Sequence, residues 1–208
     1  MALDKLFLIG LIISGSIIFQ SESILIVLFG SDYSAAYLTF ALMLLYPIDQ
    51  ARGQVTGMMF LAMERTKTAL LVSSFSSVIG VFFTIVLVSR VPNFGMGLGS
   101  SGVALKMLIV QFFTVNFSIY LLSRSLKFSY DYLYQFRAIA VVMFLSYIID
   151  NFLATIWTWE GYLLVEIILN VGLTFLIITG FILFRPKWFS FEEQEISALR
   201  HYVRKFRF

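Results

Sequence analysis

The 208-residue chain has no cysteine, one histidine and three prolines, and only 13% of it is charged. Without cysteine there is no disulfide, thiol nucleophile or thiolate metal site, and the redox compartment cannot be inferred. The single imidazole, His201, lies in a polar tail, so a histidine-based zinc site or catalytic dyad lacks its ligands and bases. The glycine-rich stretch RVPNFGMGLGSSG, Arg90 to Gly102, has neither the lysine nor the spacing of a P-loop and joins two apolar segments; it reads as a flexible turn. With no paired carboxylates or exposed nucleophile at catalytic spacing, the chain does not read as an enzyme, and no cofactor or nucleic-acid motif is present.

What is present is apolar. Hydrophobic residues make up 60% of the chain and the mean hydropathy is +0.91, beyond the balance of a water-soluble protein. A bilayer core about 30 Å thick needs roughly 20 apolar helical residues to cross it. Six segments qualify: Leu3–Phe19, Ala35–Met63, Thr68–Val88, Gly102–Leu122, Phe136–Ile156 and Tyr162–Phe184. The predicted fold is therefore all-α and polytopic, a six-helix bundle over residues 1–185. The five later spans, with the renewed apolar run Ile24–Phe29, argue against a signal peptide at the start.

Basic residues sort onto alternate sides of these spans. Lys5, Arg65, Lys67, Arg124, Lys127, Arg137 and six tail residues from Arg185 to Arg207 share one side, and the other has only Arg90. The positive-inside rule then places both termini in the cytoplasm. Aromatic clusters such as FSYDYLYQF (Phe128–Phe136) mark interfaces. Past Pro186, Ser190 and Glu193 match a capping box, and Ile196, Leu199, Val203 and Phe206 form an apolar stripe. Residues 186–208 are expected to form an amphipathic helix on the cytoplasmic membrane surface, its basic end facing anionic lipid.

Ionisable groups at membrane depth are costly and normally face a bundle interior or a wet cavity. Asp49, Arg52, Lys106, Asp150 and Glu166 are such groups, with Gln54, Asn151 and Asn170 adding uncharged polarity. Asp49 and Arg52, three apart on the second span, share a helix face and can pair. Pro47 removes a backbone donor one turn earlier and is expected to bend the helix there. Gly53 and Gly57 form a small-residue ridge for a neighbouring helix, and Ser73, Ser77 and Gly80 on the third span read as a packing seam. Lys106 and Glu166 lie about a turn inside the ends of their spans, where snorkelling also suits them.

The run ILIVLFGSDYSAAYLTFALMLL, the turn FLAMERTKTALL and the span opening GLGSSGVALKMLIVQF, in that order and spacing, resemble the polysaccharide-exporter and O-antigen flippase branch of the multidrug/oligosaccharidyl-lipid/polysaccharide superfamily. The resemblance covers about Ile24 to Arg124; the last two spans match in hydropathy alone. It implies the last six helices of a fourteen-helix transporter of a prokaryotic plasma membrane, working with a missing first half or a second subunit. The implied cargo is a sugar linked through phosphate or pyrophosphate to a polyprenol, with Arg52, Asp49 and Lys106 as candidate substrate contacts. Asp150, Glu166 and Asn170 are then candidates for coupling to an ion. A multidrug or ion antiporter of the same superfamily, and a non-transporting scaffold subunit, are the alternatives.

Overall fold

A computed structural model describes residues 2–90, 94–156 and 163–184, together with Phe189. The expected tail helix, with Ser190 and Glu193, lies outside the described residues. Those described are almost all helical, with no strand among them. The chain is an all-α polytopic membrane protein.

Among the described residues seven α-helices carry the fold: α1 (Ala2–Ile17), α2 (Ser21–Phe29), α3 (Tyr37–Ala62), α4 (Thr66–Phe83), α5 (Gly99–Leu126), α6 (Leu133–Ile156) and α7 (Leu163–Phe184). A single 3-10 turn, Ile18–Gln20, is all that separates α1 from α2, so the first span runs on to Phe29 rather than ending near Phe19. It stops where Gly30 takes a φ of +93°, a conformation that side-chain-bearing residues resist. Among the described residues five segments are long and apolar enough to cross a bilayer: Ala2–Phe29, Thr66–Val88, Gly99–Leu126, Leu133–Leu153 and Leu164–Ile182. The second expected span, α3, is long enough at 26 residues, about 39 Å. Its Asp49, Gln50, Arg52 and Gln54 keep it out of that apolar class, and it instead lies packed between α1 and α5.

Across the bundle the neighbours run α4, α5, α3, α1, α6, α7. The hydrophobic core sits on the α1 side, where Phe7, Leu8, Leu11 and Ile12 meet Ile48 of α3, Tyr134, Ala138 and Val142 of α6, and Ile178 and Ile182 of α7. The α1 residues recur at three- and four-residue steps, the pattern of a helix with one buried face. Small residues let the backbones approach. A Cβ on Gly10 would lie 3.1 Å from the Ile48 Cα, and one on Gly15 only 2.7 Å from the Val142 side chain. Beside Pro47, which α3 accommodates without interruption, the Ser14 hydroxyl donates to the Leu44 carbonyl and fastens α1 to α3.

The outer helix α4 has no buried residue. The Ser73, Ser77 and Gly80 row therefore does not form the expected seam: Ser73 and Ser77 are exposed, and a Cβ on Gly80 would meet nothing within 4 Å. Aromatic stacking holds α4 instead, with the Phe75 and Phe117 rings 4.3 Å apart. Nor is the glycine-rich turn loose over its described part. The helix after Phe83 widens into one π turn, Thr84–Val88, whose end leaves carbonyls without helical donors. Met96, Gly97 and Leu98 supply them, donating to Val86, Ser89 and Leu87 at 2.8, 3.1 and 3.0 Å.

Candidate functional site

Lys5, Arg65, Lys67, Arg124, Lys127 and Arg137 sit where the start of α1, the α3–α4 turn and the α5–α6 loop (127–132) meet, which we term the basic end. The Arg65 guanidinium donates to Ser125 there, tying the turn to the end of α5.

Arg52 reaches toward this end from within the bundle and is 0% exposed. Its Nη2 pairs with the Asp49 carboxylate and also donates to Gln135 Oε1 at 2.9 Å, while Nη1 donates to the Tyr130 hydroxyl at 2.7 Å. Its guanidinium carbon lies 4.2 Å from the centroid of the Phe7 ring, an attraction strengthened by the burial of both side chains. Gln135, also buried, donates to Asn116 Oδ1 at 2.5 Å, and the Asn116 amide donates to the Phe112 carbonyl at 2.8 Å. One cation thus joins α1, α3, α5, α6 and the α5–α6 loop. Asp4, buried at the start of α1, places a second carboxylate close enough for its charge to act on Tyr130.

Tyr130 belongs to the loop, and burial pushes its hydroxyl from the ordinary 10 up to about 12, with the Arg52 charge opposing. The folded chain therefore keeps this proton after the unfolded chain has begun to lose it. Stability owed to Tyr130 is constant below pH 10 and declines between pH 10 and about 12. Comparing unfolding curves of the wild type and Tyr130→Phe over that range should show the steeper alkaline decline in the wild type; parallel curves would contradict it.

The opposite flank of α3 is open. Between α3, α4 and α5 lies a cavity of about 350 Å³ lined by Tyr46, Gln50, Gln54, Gly57, Phe60, Gln111, Thr114 and Ser118, among others. Gly53 brings α5 close, since a Cβ there would stand 3.0 Å from Val115 and 3.1 Å from Gln111. Gly57, by contrast, faces open space, so only half of the expected glycine ridge is a packing surface. None of Gln50, Gln54 and Gln111 is hydrogen-bonded to another described residue, and the Thr114 hydroxyl is buried without a partner among them.

The other expected site residues lie outside the Arg52 network. Lys106 is half-buried on α5, ten residues before Asn116 and so about 15 Å up the helix from the Arg52 network. Asp150 is half-buried and accepts a hydrogen bond from Gln20 in the 3-10 turn after α1. Asn151, next to it, is exposed and donates its amide to the Tyr147 carbonyl of its own helix. Glu166 is half-buried and Asn170 buried, one turn apart on α7, with buried Thr174 a turn further on. Among the described residues no hydrogen bond joins Asp150 to Glu166 or Asn170.

Tyr130, Gln135, Asn116 and Phe7 complete the arginine site, and spacing in the sequence does not single them out. FSYDYLYQF carries a signal for two of them, because a loop this rich in tyrosine next to a glutamine is well equipped to cap a buried cation. No family model, curated protein or solved structure matches the chain.

Proposed function

We propose that this chain is part of a flippase that moves lipid-linked oligosaccharide or polysaccharide precursors across the plasma membrane. The observation that carries the reading is the Arg52 guanidinium, held in the bundle interior behind a tyrosine from the basic loop. Its ligands are a carboxylate, a phenol and an amide, groups whose oxygens a phosphate or pyrophosphate can replace one for one. In this arrangement the cation is closed off, and the Tyr130 loop is what must move to admit an anionic headgroup. Asp49 balances the charge while the site is closed. Basic residues around the loop entrance would draw the anion toward it and keep that end in the cytoplasm.

The test is translocation of a fluorescent polyprenyl-pyrophosphoryl sugar in proteoliposomes containing the full chain and any subunit that copurifies with it. Arg52→Gln should slow translocation at least about tenfold, the equivalent of one charge-assisted hydrogen bond, and Asp49→Asn less. Unchanged rates for a folded Arg52→Gln protein would reject the assignment. Loss of rate confined to Asp150→Asn would point instead to an ion-coupled antiporter, because Asp150 pairs with a neutral amide rather than with a cation.

A further inference from the structure

Three carboxamides at membrane depth, Gln50, Gln54 and Gln111, each present a donor and an acceptor to the cavity between α3, α4 and α5 without a protein partner among the described residues. Hydrocarbon cannot satisfy them, and an unmet polar group there costs several kcal/mol. Whatever fills the cavity must hydrogen-bond in both senses. The lining residues include no lysine, arginine, aspartate or glutamate, which disfavours an anion and a cation alike. Hydroxyl groups meet the remaining requirement, since each both donates and accepts. The cavity, about 350 Å³, lies at the small end of ligand sites, room for one or two sugar rings rather than an extended chain. Exposed Gln54 leaves it open on the flank of the bundle, where a headgroup could enter while its lipid tail stays in the bilayer.

We propose that this cavity binds an uncharged sugar ring carried on a lipid, held by Gln50, Gln54 and Gln111. The proposal deepens the transport reading and rests on it, for it assigns glycan recognition to one flank of α3 and phosphate recognition to the other. Gly57 supplies the decisive variant. A Cβ there meets nothing within 4 Å and Gly57 lines the cavity, so Gly57→Leu is expected to take up cavity space while removing a helix-weakening glycine.

The experiment incorporates the full chain into phosphatidylcholine nanodiscs doped with monoglucosyl diacylglycerol or diacylglycerol, and counts retained lipid by native mass spectrometry. Wild type should retain the glucosylated lipid about tenfold better, and Gly57→Leu and Gln111→Leu should each abolish the preference. Circular dichroism and the thermal midpoint verify that both variants fold. Equal retention of the two lipids by wild type, as expected if the cavity holds water alone, overturns the proposal. So does a preference that survives in folded Gly57→Leu. The probe has no phosphate, so its binding is separate from Arg52: preference for the glucosylated lipid with no translocation of the polyprenyl-pyrophosphoryl sugar keeps the sugar site and rejects the flippase, and Arg52-dependent translocation without the preference does the opposite.

Discussion

Arg52→Ala should lower unfolding free energy by about 3–5 kcal/mol, because it leaves a largely buried carboxylate without its cation and removes donors from buried Gln135 and half-buried Tyr130. The loss would be read from unfolding by sodium dodecyl sulfate in mixed micelles. Asp49→Asn should cost less. The Asp49 side chain keeps 16% of its surface exposed, and Arg52 retains Tyr130, Gln135 and the Phe7 ring after the change. The instructive variant is the double one, Asp49→Leu with Arg52→Met. It removes both charges together, and Gln135 keeps its bond to Asn116, so much of the single-variant loss should return. A double variant as unstable as Arg52→Ala would mean that the cation is needed by Tyr130 and the loop rather than by Asp49. Restored stability without restored translocation would separate the architectural use of the pair from its proposed use in transport.

Helix positions and the pairing of Asp49 with Arg52 were legible because both follow from local spacing: apolar runs of bilayer length, and charges three residues apart on a helix. What Arg52 meets beyond Asp49 was not, since Tyr130 and Gln135 stand 78 and 83 residues away in the chain. Hydropathy says that such a residue must avoid lipid; it does not say which helix will cover it. The same limit explains Gly53 and Gly57. Their spacing marks a ridge, but α5 crosses it so that Gly53 is packed and Gly57 is not. Ser73, Ser77 and Gly80 are a small-residue row on a helix with no described residue packed on that face. Lys106, Asp150, Glu166 and Asn170 were recognisable as costly residues at depth, yet recognition of each alone could not tell that none of them joins the Arg52 network.

Gly102, at the start of α5, has little room for a side chain, and Gly102→Ala is expected to destabilise the α4–α5 connection. A Cβ at that position would stand 2.7 Å from the Leu87 carbonyl oxygen and 2.9 Å from the Leu98 Cβ. The oxygen cannot retreat freely, because it already accepts the Leu98 amide at 3.0 Å, one of three bonds that close the π turn against the residues before α5. Relief therefore requires either breaking that bond or shifting the start of α5. Overpacking of this kind costs about 1–3 kcal/mol. The gain in helix propensity from glycine to alanine, about 1 kcal/mol, offsets only part of it. Gly80→Ala receives the same propensity gain with nothing in the way, and should be neutral or stabilising. Hydrogen exchange locates the difference: Gly102→Ala should speed exchange at the Met96, Gly97 and Leu98 amides while leaving Arg52 and its ligands protected. Unchanged exchange at those three amides would show that the connection yields elsewhere, and that crowding against the Leu87 carbonyl is not what requires glycine at position 102.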